Sequence, residues 1–210
     1  GPNGSGKSTM LRSIFHSRRP TKGTVTVDGV DVWSRDTKWS SQHISVVLQE
    51  TSAEFPLTCG EIVRMGRTPH KKSWRSLSEG DLALCGAAME LMEVGDLATS
   101  TFSRISGGER RRVTIARALA QQTGLLIMDE PTNHLDIHHQ LKVVELSRRL
   151  RSTVVVALHD ISLAARFCDT LVLMSKGKCV AAGAPSAVLS PGILDDVYKV
   201  YTHLGRHPSG

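Results

Sequence analysis

The 210-residue chain has 40% hydrophobic residues, enough for one substantial core, and at 4% too few aromatics for the interleaved stacking platform of a single-strand nucleic-acid binder. No uninterrupted apolar run approaches the ~20 residues that cross a bilayer, so any membrane association has to come through a partner. The formal charge of +6 leaves an anionic partner open, whereas Cys59, Cys85, Cys168 and Cys179 form no C-x-x-C pair and read as small buried apolar residues in a reducing compartment.

Residues Gly1 to Ser8 (Gly-Pro-Asn-Gly-Ser-Gly-Lys-Ser) fit G-x-x-x-x-G-K-[ST]. That spacing describes how to hold a polyphosphate. Glycines let successive backbone N–H groups turn inward on a β-phosphate, Lys7 brings a mobile positive charge to the β/γ oxygens, and the Ser8 hydroxyl suits Mg²⁺. A helix predicted from Lys7 to about His16 points its positive dipole end at the same anion. Such a loop normally hangs from a buried strand, and the lack of one ahead of Gly1 predicts a longer natural chain.

Gly23 to Val27 alternates as a strand, Asp28-Gly29 is a hairpin turn signal, and Val30-Asp31-Val32 begins the return. Ile44 to Leu48 reads as another strand, ending at Gln49. Between about Leu57 and Arg104 the pattern changes to short helical segments, broken near Thr68-Pro69 and Leu77-Ser78. One of them, Asp81 to Val94, spaces Leu82, Cys85, Met89 and Met92 as a helix face. Residues 57–108 thus read as a helical subdomain inserted into an α/β core of residues 1–56 and 109–210. The core resumes with a helix from about Gly108 to Gln121, the strand Leu125 to Met128, a helix from about His138 to Leu150 and the strand Thr153 to Leu158. Apolar runs separated by amphipathic helices predict a mostly parallel sheet covered on both faces. Leu171–Met174 and Cys179–Ala182 flank Lys176-Gly177 as a closing hairpin, and Ser190-Pro191 supplies the N-cap and first position of a terminal helix.

The strand Leu125 to Met128 delivers Asp129 and Glu130 to its C-terminal edge, where α/β sheets bind ligands. Asp129 is placed to hold a Mg²⁺ shell, and Glu130 to act as general base on an attacking water. The plainer alternative is a strand followed by a helix-capping acid. Ile105-Ser106-Gly107-Gly108-Glu109 is again an anion cradle, with a hydroxyl, two unobstructed backbones and a helix N-terminus. It is equally a capping box, with Ser106 as N-cap and Glu109 at the third position. What tips the balance is the count: the chain has two phosphate cradles, and a monomer needs one.

Together these motifs resemble the ATP-binding subunit of ABC transporters over nearly the full chain, in which Ile105 to Glu109 stands as the signature loop, with Ile for the commoner Leu and Glu for the commoner Gln. The resemblance implies a P-loop NTPase fold with a helical signature subdomain, a Mg-dependent ATPase, and a head-to-tail homodimer closing on two ATP molecules. Nucleotide contacts then fall to Gly1, Asn3, Gly4, Ser5, Gly6, Lys7, Ser8 and Thr9. From the facing subunit come Ser106, Gly107, Gly108 and Asp136, the last in the D-loop Asn133-His134-Leu135-Asp136. Gln49 matches the Q-loop, so Ser8, Gln49 and Asp129 become the implied Mg²⁺ ligands. Glu130, Gln49 and the switch histidine His159, which senses the γ-phosphate, become the implied catalytic set. His134 and His138 have the i, i+4 spacing of metal ligands, but a D-loop followed by a polar helix face is the simpler account. Arg110-Arg111-Arg112 reads as the solvated face of the signature helix, with some side chains near the facing subunit's ATP.

Glu61 to His70, Asp136 to Gln140 and His159 to Asp169 are similar to the corresponding stretches in ATPases of iron-siderophore, haem and cobalamin importers. That branch implies a peripheral subunit on the cytoplasmic face of a bacterial cell membrane. Phe55 to Arg67 would receive the permease's cytoplasmic coupling helix, and a periplasmic or lipoprotein substrate-binding protein would act indirectly. No nucleic acid is expected. The rival is a soluble ABC-type ATPase acting on nucleic acid or the ribosome, which would use the same motifs and the positive charge. Such proteins usually carry two cassettes, or coiled-coil or zinc-bearing insertions, and none is visible. A non-catalytic nucleotide sensor is disfavoured by intact Lys7, Asp129, Glu130 and His159.

Overall fold

The computed structural model describes residues 1–48, 56–71, 76–133, 135–150, 152–199 and 201, which fall into two compact units, residues 11–156 and residues 1–10 with 157–210. Helix α1 (Lys7–Ile14) leads from the second unit into the first.

Within residues 11–156, β1 (Thr26–Val27) and β2 (Val30–Asp31) pair antiparallel across Asp28-Gly29, both at positive φ (50° and 76°), as a tight hairpin turn demands. Helix α2 (Thr37–His43) was not among the predicted elements. It is seven residues long and polar, without apolar periodicity, and starts where the Asp36 carboxylate accepts from Trp39 N at 2.8 Å. It runs straight into β3 (Ile44–Val47). Helices α3 (Cys59–Arg64) and α4 (Glu79–Leu91) each open with a capping box, Thr58 with Glu61 and Ser78 with Asp81. A 3₁₀ turn over Met65–His70 ends α3 ahead of Pro69. Helix α5 (Gly107–Ala120), β4 (Leu125–Asp129), α6 (Ile137–Arg149) and β5 (Thr153–Ala157) follow.

The three strands lie in the order β3-β4-β5, with β3 and β4 parallel from Ile44↔Leu125 to Val47↔Met128. Central β4 is buried at every residue, as its continuous apolar run predicts. Strand β5 carries an equally apolar run yet only Ala157 is buried, because it forms the edge of this sheet. Phe102, Met92, Val63, Val113 and Ile115 are almost fully buried between the helices and the sheet, each contributing about 1.5–3 kcal/mol of burial. Arg67 locks the helical part to the far end of α5. Its Nε donates to Asp81 Oδ1 at 2.8 Å and its Nη1 to Ala120 O at 2.9 Å, while His70 Nε2 donates to Gln121 O at 2.8 Å. Asp81 is drawn down to about 2, first by the Ser78 hydroxyl and then by Arg67.

Gly66 is the point of closest approach in this packing, since a Cβ there would stand 2.3 Å from Arg117 O. Gly66→Ala is therefore expected to force the 3₁₀ turn Met65–His70 away from α5 and lower stability by about 1–3 kcal/mol, read as a lower urea midpoint at unchanged slope.

In the other unit, β6 (Leu171–Ser175) and β7 (Lys178–Gly183) form the predicted hairpin, with Lys176 and Gly177 at φ 49° and 76°. Two short helices go beyond the predicted elements: α7 (Ile161–Phe167), capped by Asp160, and α8 (Pro185–Val188), which packs on the hairpin. Helix α9 (Pro191–Tyr198) has Pro191 in its first turn as expected, but the Ser190 side chain makes no capping bond. The cysteine expectation needs correcting as well. Cys59 and Cys85 are buried, with their thiols pushed up by desolvation, whereas Cys168 is half-buried and Cys179 is exposed on β7.

Candidate functional site

The glycine-rich loop is braced by the β6–β7 hairpin of its own unit. Gly177 N donates to Ser5 O at 3.0 Å, and a Cβ on Gly1 would stand 2.0 Å from Met174 O, so only glycine fits. Gly4 and Gly6 take φ of 73° and 99°, the left-handed region that turns successive N–H groups toward one side. Lys7 Nζ donates to Gly1 O at 2.8 Å and Pro2 O at 3.0 Å, which holds the ammonium over the loop and leaves its third donor for an anion. Ser5 Oγ is buried without a hydrogen-bond partner among the described residues, a cost that a phosphate oxygen would relieve. Ser8 is half-buried at the start of α1, and Asn3, Gly4 and Thr9 are exposed. His159 lies in this same unit, exposed, two residues past the end of β5 and just before the Asp160 cap.

The carboxylates belong to the unit of residues 11–156. Asp129 closes β4 and is 5% exposed. Its Oδ1 has no partner among the described residues, an orphaned buried oxygen suited to a cation. Glu130 is 7% exposed and sits at φ 50°, a conformation that costs a side-chain-bearing residue about 1–3 kcal/mol and survives only where the surroundings impose it. Asn133 Nδ2 donates to Glu130 Oε2 at 2.6 Å, fixing one carboxylate oxygen. Gln49 lies outside the described residues.

Arg111 corrects the expectation of a solvated arginine face. It is 7% exposed, and its guanidinium reaches four main-chain oxygens. Nη2 donates to Asp129 O at 2.8 Å and Glu130 O at 2.7 Å, Nε to Pro131 O at 3.2 Å, and Nη1 to Leu48 O. Desolvation pushes it down to about 10, and the charges of Asp129 and Glu130 pull the other way. One signal in the sequence points here: Arg111 shares a helix face with Ile115 and Ala118, both buried, so it interrupts an apolar stripe.

At the start of α5 the capping box is complete. Glu109 N donates to Ser106 Oγ at 3.3 Å, Ser106 N donates to Glu109 Oε2 at 2.8 Å, and these contacts with Ser106 hold Glu109 below the usual carboxylate range. Ser106 and Gly107 are nevertheless exposed, and a Cβ on Gly107 would meet nothing within 4 Å. The described packing gives no reason for glycine there. Asp136 caps α6 by accepting from His139 N at 2.9 Å. Because Arg112 Nη1 can only donate, its 2.7 Å contact makes His139 Nε2 the acceptor, and His139 Nδ1–H then donates to Asp136 Oδ1 at 2.8 Å. His134 lies outside the described residues.

Comparison with known proteins gives these residues a context. Residues 1–133 match the family described as ABC transporter. The chain is 41% identical over 213 residues to the cobalamin import ATP-binding protein of Halobacterium salinarum, a match that takes in 100% of this chain and 53% of that protein. It is 40% identical over 215 residues to the hemin import ATP-binding protein of Streptomyces coelicolor, covering 99% of this chain and 75% of the relative. Among solved structures it matches the dimeric post-hydrolysis state of an ATP-binding cassette bound to ADP and Pi, with a TM-score of 0.77 at 31% identity over 88% of this chain and 83% of that one. The chain thus spans about half the length of the Halobacterium relative.

Proposed function

We propose that this chain, which belongs to the ABC transporter family, is the ATP-hydrolysing subunit of an importer that drives uptake of a ferric siderophore, haem or cobalamin. Likeness to cobalamin and hemin import ATP-binding proteins supports the import role, and the observation that carries the ATPase reading is the presence of two anion cradles of different character. One is the loop Gly1–Ser8, with an ammonium above it and an orphaned Ser5 hydroxyl inside it. The other is the exposed start of α5, with a glycine that the described packing does not require. A chain that binds one nucleotide at the first cradle has the second to offer to the nucleotide of another copy.

In that reading Gly1, Asn3, Gly4, Ser5, Gly6, Lys7, Ser8 and Thr9 hold the phosphates of one ATP, and Ser106, Gly107, Gly108 and Asp136 of the facing copy complete the site. A Mg²⁺ ion held by Ser8, Gln49 and Asp129 supplies neutralisation of phosphate charge when bound; the unpartnered Asp129 Oδ1 fits that role. Glu130, oriented by Asn133, takes the proton from the attacking water, and His159 reports the γ-phosphate. Residues 57–108 serve as the helical subdomain. The segment Phe55–Arg67, on which Met65 is exposed at 49%, receives the permease, while Phe55 itself lies outside the described residues. Among the described residues no helix is long and apolar enough to cross a membrane. In this reading the subunit works at the cytoplasmic face of the membrane through its permease, and a substrate-binding protein outside delivers the cargo.

Affinity capture of the full-length tagged protein from detergent-solubilised cells, with partners identified by mass spectrometry, tests the reading. A multi-span permease together with a substrate-binding protein is the expected catch, and the binding protein's ligand then names the cargo. Ribosomes, DNA or soluble chains alone would overturn the transport role.

A further inference from the structure

We propose that Arg111 is a positioning residue for Glu130, setting the place of its carboxylate by gathering the carbonyls of Asp129, Glu130 and Pro131 onto one guanidinium. The proposal deepens the reading given above and rests on Glu130 as the base.

In an extended strand successive carbonyls point to alternate sides, so three in a row cannot converge on one cation. They converge here because the chain turns at Glu130, whose φ of 50° is the left-handed value that brings the Asp129 and Glu130 oxygens to 2.8 and 2.7 Å from Arg111 Nη2 and Pro131 O to 3.2 Å from Nε. The guanidinium is thus the element that selects the strained turn. Its fourth contact, Nη1 to Leu48 O, fastens the same turn to the chain just beyond β3, next to Gln49. All four acceptors are main-chain oxygens. The arginine therefore fixes the backbone that carries the carboxylate, while Asn133 fixes the carboxylate itself. A planar fork with five donors in fixed directions is what this geometry uses, and a lysine ammonium at the same charge cannot span it.

The test compares Arg111→Lys and Arg111→Met with the wild-type full chain. Arg111→Lys is expected to lower kcat for Mg·ATP by ~10²-fold, the effect of an ångström-scale misplacement of a reacting group. KM should stay within about twofold, since the lost interaction serves the chemical step rather than nucleotide binding. In a Glu130→Gln background the same substitution should cost nothing more, because both changes act through one group. Hydrogen exchange gives a readout that does not need activity: amides of residues 129–133 should exchange faster in Arg111→Lys while those of 113–118 keep wild-type protection. Unchanged exchange at 129–133, a kcat within about twofold of wild type, or an undiminished loss in the Glu130→Gln background would each overturn the proposal. If the wild-type chain hydrolyses no ATP, the proposed function falls, and exchange at 129–133 alone decides whether Arg111 holds the turn. Should Arg111→Met fail to fold, leaving four carbonyls unsatisfied, the lysine variant still decides.

Discussion

Glu130→Gln is expected to slow ATP turnover by ~10²–10⁴-fold, the span that a positioned general base contributes, while leaving nucleotide bound. At the middle of that span the barrier rises by roughly 4 kcal/mol. Glutamine keeps the shape of the side chain and an oxygen that can still accept from Asn133 Nδ2, so the turn around residue 130 has no steric reason to change. What it loses is the capacity to take a proton. The P-loop contacts of Gly1–Ser8 are untouched, so ATP should accumulate unhydrolysed and trap two copies around it. Phosphate release checks the first expectation, and light scattering with and without Mg·ATP checks the second. Turnover within about twofold of wild type would remove Glu130 from the role of base.

The local geometry of this protein was legible in its sequence, and the long-range contacts were not. Gly1–Ser8 and Ser106–Glu109 are short segments whose residue order states their local geometry, a glycine-rich turn and a capping box, and the turns at Asp28-Gly29 and Lys176-Gly177 adopt the positive φ values that their composition invites. Strand β4 announced itself by an unbroken apolar run. Helices α2 and α7 did not, because seven-residue helices hold too few turns to display a period, and each is set mainly by one capping aspartate, Asp36 or Asp160. Arg111 was hidden for another reason. Its partners are main-chain oxygens of Leu48, Asp129, Glu130 and Pro131, and a carbonyl carries no sequence identity. Within a run of three arginines, only its place on the stripe with Ile115 and Ala118 sets it apart. The half-exposed β5 shows the same limit, since Val154–Val156 would suit the centre of a sheet as well as the edge they occupy.

Ser106→Arg is expected to abolish hydrolysis, by at least ~10³-fold, because in the proposed dimer it puts a bulky cation where the second cradle would meet the facing copy's ATP; completion of a phosphoryl-transfer site in trans is worth ~10³–10⁵ in rate. The variant also loses an N-cap, a cost of about 0.5–2 kcal/mol. Helix α5 should survive that loss, since Val113, Ile115, Ala116 and Ala118 anchor it in the core. ATP binding to an isolated subunit should change little, because the loop, the ammonium and the buried Ser5 hydroxyl all belong to residues 1–8. The decisive form of the test mixes two dead proteins. Lys7→Ala spoils the first cradle and Ser106→Arg the second. In a twofold dimer where each first cradle faces the partner's second, a heterodimer of the two has one site with both halves intact. Random mixing makes about half the dimers mixed, each with one good site of two, so about a quarter of wild-type activity should return if the sites act independently. Recovery on mixing cannot arise if each chain completes its own site, since every chain in the mixture carries a lesion. A mixture that stays inert although heterodimers are demonstrated, or a wild-type monomer that turns over at full rate, would show that the second cradle is only a helix cap.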